Sequence, residues 1–144
     1  MLESPWITDE TITEALLARY GLSVNALTFL PIGNDSASWA YRVQTIEGRA
    51  YFLKIRANKG FSQASLAIPC YLRDQGVPHI IAPLSTNSQT LWVRVKNFAL
   101  SLYSFVDGQI GANVGLSEQQ WRAFGALMKQ SASFRVTAGP RLTP

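Results

Sequence analysis

The chain has little cysteine, little charge and no long apolar run. Cys70 is the single cysteine among 144 residues, so no disulfide can form within the chain, which favours a reducing compartment. No apolar run approaches the roughly 20 residues that a membrane-spanning helix needs. The first ten residues are acidic and lack the apolar centre of a signal peptide. We therefore expect a cytoplasmic protein without a membrane partner.

Charge is sparse and is not concentrated in any part of the sequence. Charged residues make up 15% of the chain, and the net charge of +4 comes from lysines and arginines scattered singly. A sheet that stacks single-stranded nucleic acid on Trp39, Tyr41 or Phe52 is one alternative, but it needs clustered cations beside exposed rings. No such cluster occurs in the sequence, so no nucleic-acid partner is expected. A site for a phosphate-bearing small molecule explains the positive sign equally well.

Hydrophobic periodicity predicts blocks of helix and strand within one domain. Three helices are expected: one that ends at Gly21, one within residues 62–75 and one that begins at Ser117. Six segments carry strand patterns, at residues 26–32, 38–44, 50–56, 77–84, 90–98 and 98–106. The last three of these supply two or three strands. The order predicts the α+β class, an antiparallel sheet with helices on one side.

The sequence allows more than one start for two of the helices. The first helix starts at Thr8, at Asp9 or at a capping box that begins with Thr11. The second contains Pro69, and proline is tolerated in the first turn of a helix but not in its interior. That helix therefore either begins near Ser65 or is kinked at the proline.

Lys54 is the residue that a simple core does not explain. It lies in the middle of a predicted strand with apolar neighbours, and burying an ammonium group is costly unless an anion meets it. The small residues from Gly33 onwards allow a backbone to approach phosphate oxygens closely. A lysine beneath that loop would neutralise the same phosphates. The alternative is a lysine that extends from the edge of the sheet into water.

Several stretches, taken in order, resemble one family. IGNDSASWAYRV, YFLKI, YLRDQGVP, LSLYSFVDG and WRAFGALM resemble the aminoglycoside phosphotransferase and choline-kinase-like family, most of all its spectinomycin phosphotransferase branch. The resemblance implies a protein-kinase-like N-terminal lobe over residues 1–106, with a five-stranded antiparallel sheet and flanking helices. Residues 107–144 would be the hinge or linker and the first helix of a C-terminal lobe. It also implies a small-molecule kinase that uses ATP, with a role in antibiotic resistance.

The resemblance also implies which residues contact the nucleotide. The loop that positions the phosphates would comprise Gly33, Asn34, Asp35, Ser36 and Ser38. Lys54 would contact the α- and β-phosphates. Tyr103 would close the back of the adenine pocket, and the Ser104 carbonyl and Val106 N–H would bind the edge of the base. Further residues that would line the adenine slot are Ile32, Ala40 and Phe52.

Two departures from the family pattern bear on function. The helix glutamate that normally pairs with the strand lysine is replaced by Gln63 or Ser65, so that Lys54 would rely on Asp35, Asp74 or the nucleotide. The aspartates and asparagine of the second lobe do not occur, so no catalytic residue and no metal ligand is expected. We therefore expect a lobe truncated before the catalytic loop and inactive alone, with Mg²⁺ bound only in a complete enzyme. The alternative is a stand-alone ligand-binding or protein-interaction module that does not bind nucleotide.

The last predicted helix indicates self-association. Ser117 and Gln120 form a capping pair ahead of an apolar face. The residues of that face are Trp121, Phe124, Leu127 and Met128. Without a second lobe this face would be exposed, and large apolar patches tend to be covered by a partner. We expect a homodimer formed through this helix, the hinge region or exchange of the C-terminal segment.

Overall fold

The computed structural model describes residues 5–32, 37–57, 61–107 and 115–132. These ranges contain, in chain order, α1 (Asp9–Tyr20), β1 (Val24–Leu30), β2 (Ser38–Thr45), β3 (Ala50–Ala57), α2 (Ala64–Asp74), β4 (Val93–Val95), β5 (Phe98–Ser104) and α3 (Glu118–Ala132). The strands form one antiparallel sheet in the order β1-β2-β3-β5-β4. The predicted α+β class and five-stranded antiparallel sheet are confirmed. None of the three described helices is long and apolar enough to cross a bilayer.

The helices α1 and α2 pack against opposite faces of the sheet. Leu100 of β5 shares the larger buried cluster with Ile12 of α1. The neighbouring Ala99 shares the smaller cluster with Leu66 and Cys70 of α2. Because successive strand residues point to opposite faces, the two helices cover different sides. The expectation of helices on one side is wrong, and the reason is visible in β5, in which the four successive residues 99–102 are buried, so that both faces of the strand are covered.

Local signals set most of the boundaries. Thr8 caps α1, with its Oγ1 accepting a hydrogen bond from the Thr11 N–H at 3.2 Å, so the upstream start is correct and the downstream capping box is not used. Gly21 ends α1 with φ of 69°, as predicted. The hairpin glycine, Gly48, has φ of 86° between β2 and β3. Helix α2 begins at Ala64, which leaves the proline of that segment in the helix interior.

The strand predicted over residues 77–84 is not formed. Pro78 and Pro83 have no N–H to donate to a ladder, and His79 has φ of 61°, which breaks an extended backbone. The segment still runs beside β5, since the Leu84 N–H donates to the Leu102 carbonyl at 2.7 Å. This segment passes along one side of the candidate site described below.

The strand predicted over residues 90–98 is shortened to the three residues of β4. The Thr86 N–H donates to the Thr90 carbonyl at 2.8 Å, which closes a turn in which Gln89 has φ of 64°. The hydroxyl groups of Thr86 and Thr90 also hydrogen-bond to each other at 2.6 Å. This polar turn competes with strand pairing at the start of the segment.

Tyr20, in the last turn of α1, supplies a stability prediction. Its buried hydroxyl has no hydrogen-bond partner in the described residues, and burial, with a smaller contribution from Tyr103, raises its pKa. An unsatisfied buried hydroxyl is costly, so we expect Tyr20→Phe to increase the free energy of unfolding by about 1 kcal/mol at pH 7. Urea denaturation followed by circular dichroism measures this change.

The same substitution has a pH signature. Because the folded-state pKa of Tyr20 is raised, the unfolded chain loses its proton first, and the wild type loses stability as the pH rises above about 10. Tyr20→Phe should lose less stability over that range. Tyr41, whose pKa is also raised by burial, keeps a residual effect in both proteins. Identical alkaline profiles for the two proteins would contradict this account.

Candidate functional site

One cleft of about 330 Å³ opens on the sheet face that carries α2. We call it the β3–β5 cleft, and its lining residues are Phe52, Lys54, Ile81, Tyr103, Ser104, Phe105 and Val106. Its walls are apolar apart from a lysine, a serine and a tyrosine hydroxyl. Concave, mostly apolar sites of roughly 300–1,000 Å³ with few polar groups are typical of small-molecule binding.

Lys54 lies on the central strand of the sheet rather than at an edge. The register of β3 places Ala40 of β2 on one side of it and Ser101 of β5 on the other. Both neighbours are 5% exposed and small, so they leave space beside the lysine side chain. The alternative of a lysine extending from the sheet edge is therefore wrong. The half-buried Lys54 faces the cleft instead.

The two ends of the cleft differ in chemistry. At one end Phe52 and Tyr103 are directly paired, and their rings meet edge to face with centroids 6.2 Å apart. Lys54 is two residues along the same strand, which corresponds to about 7 Å. This arrangement suits a ligand with a flat apolar group at one end and an anionic group at the other. Ser104 and Val106 also line the cleft.

The structure describes the residues on either side of the predicted phosphate loop. Gly33, Asn34, Asp35 and Ser36 lie outside the described residues. Leu30 and Ala40, in the two strands that the loop joins, are paired, and Ala40 in turn is the β2 neighbour of Lys54. The β2 end of the loop lies beside the end of β3, where the Ala57 N–H donates to the Ala37 carbonyl at 2.9 Å, and Lys54 lies three residues earlier in β3. Ser38 lies on the same sheet face, paired with Arg56, but does not line the cleft.

Cations that are scattered in the sequence gather on one side of the sheet. The five strands contain four cationic residues and no aspartate or glutamate. The register puts all four on the cleft side: Arg42, Lys54, Arg56 and Arg94. A one-sign surface of this kind attracts anions.

The aromatic residues considered for nucleic-acid stacking do not share that face. Tyr41 is 3% exposed in the core on the α1 side, and Trp39 packs against the same core. Phe52 alone of the three faces the cations. Of the three rings considered for stacking, this face therefore carries one, whereas single-strand binding uses a row of exposed rings.

Helix α2 offers Lys54 no carboxylate near its start. Gln63 occupies the N-cap position without a capping hydrogen bond, and the Ser65 hydroxyl donates to the Ser62 carbonyl at 2.6 Å. The acidic residue of α2 is Asp74 at its far end, and it pairs with Arg73 at 3.3 Å on the surface.

The described residues contain no cluster of three metal-binding side chains. Within residues 5–32, 37–57, 61–107 and 115–132, no three histidine, cysteine, aspartate or glutamate side chains are placed to hold one. Mg²⁺ takes oxygen ligands and is usually held by carboxylates. We assign no step to a metal in this part of the chain.

One of the three residues predicted to line an adenine slot lies in the β3–β5 cleft. Phe52 lines the cleft, whereas Ile32 is an exposed residue after β1 and Ala40 is buried between strands. Ile81 is a lining residue that the sequence did not indicate, because its segment was expected to be a strand. Phe105 falls within the stretch LYSFVDG but had no assigned role.

Comparison with solved structures identifies relatives of this fold. Spectinomycin phosphotransferase in complex with ADP and spectinomycin matches with a TM-score of 0.81 and 26% identity, over 92% of this chain and 40% of that chain. An amicoumacin kinase in complex with AMP-PNP and Ca²⁺ matches with a TM-score of 0.65 and 16% identity, over 92% and 42%. An aminoglycoside phosphotransferase from Alicyclobacillus acidocaldarius matches with a TM-score of 0.54 and 23% identity, over 79% and 31%.

These comparisons confirm the resemblance seen in the sequence. The structural neighbours are aminoglycoside phosphotransferases, and the shared fold is their kinase-like N-terminal lobe. The chain spans 40% of the length of the spectinomycin phosphotransferase that it matches. A scan against protein-family models and a search of curated proteins find no match.

Proposed function

We propose that this chain is the nucleotide-binding lobe of an aminoglycoside phosphotransferase-like small-molecule kinase. The observation that carries the proposal is the meeting of Lys54 with Phe52, Tyr103, Ser104 and Val106 in one cleft. The neighbouring structures were crystallised with ADP, AMP or AMP-PNP, which supports an adenine nucleotide as the ligand. The proposal keeps the expected cytoplasmic location, in line with a single, buried, unpaired cysteine.

The proposed binding mode follows the two ends of the cleft. The adenine ring would lie against Phe52 and Ile81, with Tyr103 behind it, and its edge would bind the Ser104 carbonyl and the Val106 N–H. The triphosphate would extend towards Lys54, whose ammonium donates charge-assisted hydrogen bonds to phosphate oxygens. The phosphate loop of Gly33, Asn34, Asp35, Ser36 and Ser38 remains part of this proposal. In a complete enzyme, ATP would supply the phosphoryl group.

We propose that these 144 residues bind nucleotide without transferring phosphate. Phosphoryl transfer depends on metal-borne charge and on a carboxylate that orients the nucleophile. The residues lining the β3–β5 cleft include no carboxylate. Residues 1–106 would form the nucleotide lobe, and residues 107–144 would be the linker and first helix of a second lobe that carries the catalytic groups. A role in antibiotic resistance belongs to that complete enzyme.

The first test addresses Lys54. We expect Lys54→Ala to weaken ATP binding by about 10- to 100-fold, because a hydrogen bond to a charged group contributes roughly 1.5–3 kcal/mol. Adenosine, which has no phosphate, should bind both proteins alike. Isothermal titration calorimetry of both ligands measures this.

Lys129→Ala, an exposed lysine of α3, is the matched control and should bind ATP like the wild type. ATP binding that is insensitive to Lys54→Ala would support the alternative, a stand-alone module whose ligand is not held by the lysine. A wild-type chain that binds no ATP contradicts the proposal outright.

The second test addresses catalysis. With ATP, Mg²⁺ and spectinomycin, we expect the 144-residue chain to form no more ADP than buffer alone, because the cleft lacks the carboxylates that the reaction needs. Coupled detection of ADP and mass spectrometry of the acceptor measure the outcome. A phosphorylated acceptor in this assay would show that the lobe is catalytic by itself.

We propose further that a second copy of the chain covers α3. Trp121 is 58% exposed, Phe124 50% and Met128 57%, and the first two rings contact each other rather than a neighbouring element. Residues of α3 belong to neither buried cluster of the described chain. An apolar face of this kind on every copy is self-complementary, as a two-fold dimer requires.

The third test measures this association. We expect light scattering coupled to gel filtration to give a dimer for the wild type and a monomer for Trp121→Glu, since a charge at the centre of an apolar interface is costly. Leu17→Glu places the same charge on an exposed apolar residue of α1 and should stay dimeric. A wild-type monomer at high concentration would rule out this partner.

A further inference from the structure

Arg42 makes an unusual pair of contacts beside the β3–β5 cleft, and one of them is with the lining residue Phe105. Its guanidinium carbon lies 5.1 Å from the centroid of the Phe105 ring, a cation–π geometry. Its Nη1 also donates to the Gln44 Oε1 at 3.2 Å, which orients the guanidinium. Arg42 is half-buried, so this contact is partly shielded from water.

Phe105 belongs to a segment that the sheet holds weakly. Strand β5 ends at Ser104, and the Phe105 N–H continues the ladder with a long hydrogen bond of 3.4 Å to the Ala50 carbonyl. The next residue, Val106, is 65% exposed. The side chain of Phe105 is therefore an important anchor for the backbone on either side of it.

We infer that Arg42 is a positioning residue for base recognition, an inference that rests on the proposed function. By holding the Phe105 ring against β2, it fixes the peptide groups between Ser104 and Val106. Those are the groups proposed to bind the adenine edge. Arginine suits this role because its planar guanidinium stacks on a ring while its N–H groups remain available to a second partner.

Direct phosphate binding by Arg42 is the competing explanation, and the register argues against it. Arg42 is paired with Phe52 at the apolar end of the cleft, whereas the partner of Lys54 is Ala40. A guanidinium engaged with Phe105 and Gln44 is thus nearer the proposed base than the proposed phosphates. The two roles affect different parts of a nucleotide, so they are separable by experiment.

The first experiment uses the ligand-free protein. In Arg42→Met and Phe105→Leu, hydrogen exchange at the amides of residues 105 and 106 should be about fivefold faster than in the wild type. Arg94→Met is the matched control, because Arg94 lies 5.7 Å over the Trp92 ring on the same sheet face, and that ring, unlike Phe105, does not line the cleft. Unchanged hydrogen exchange in both Arg42→Met and Phe105→Leu would overturn the inference.

The second experiment compares ligands by calorimetry. Arg42→Met and Phe105→Leu should each bind adenosine and ATP about five- to tenfold more weakly, with tripolyphosphate binding unchanged. The double variant should lose little more than either single one, because both remove the same contact. Arg94→Met should match the wild type. Arg42→Lys keeps the charge without the planar group and should recover tripolyphosphate binding if the competing explanation is right.

The outcomes distinguish a failure of the role of Arg42 from a failure of the proposed function. Equal adenosine binding by the wild type, Arg42→Met and Phe105→Leu overturns the role of Arg42 and leaves the proposed function standing. Weakened tripolyphosphate binding with unchanged adenosine binding assigns Arg42 to phosphate and also overturns it. A wild-type protein that binds neither adenosine nor ATP contradicts the proposed function, and the inference is then wrong as well.

Discussion

The register of β3 between β2 and β5 is the constraint on which the rest of this protein depends. It places Lys54 between two small residues, Ala40 and Ser101, on the face opposite the larger core. Because side chains alternate along a strand, a slip of one residue would turn Leu53 outwards and the lysine into the core. The burial of Leu53 and its neighbours on the α1 side therefore holds the lysine in the cleft.

The two faces of the sheet differ in composition because side chains alternate between them along each strand. The α1 face carries the larger buried cluster of apolar side chains. The opposite face is only partly covered by α2, and it collects the four strand cations without a compensating strand carboxylate. Like charges on a partly buried surface repel one another, and an anionic ligand relieves that repulsion. This face is thereby suited to an anionic ligand before any specific contact is considered.

Much of the local structure was predictable from the sequence. The cap of α1 and the left-handed glycine that ends it follow from short-range rules, as does the Ser117–Gln120 capping pair of α3, which makes both of its expected hydrogen bonds. The predictions were wrong where tertiary contacts or proline determine the backbone conformation, as in the segment that contains Pro78 and Pro83. In place of a strand ladder, the Leu84 N–H of this segment donates to the Leu102 carbonyl of β5, a contact that no local pattern reveals.

By itself, the sequence determined the alternation of helix and strand, the hairpin glycine and the anomaly of a lysine within an apolar strand. These depend on residues close together in the chain, where periodicity and turn chemistry act. Only the tertiary structure decided that Ile81 and Phe105 meet Lys54, and that Arg42 lies over the Phe105 ring. Those contacts require β3 to pair with a strand that follows α2. The energy of such non-local pairing depends on both segments together and cannot be inferred from either one alone.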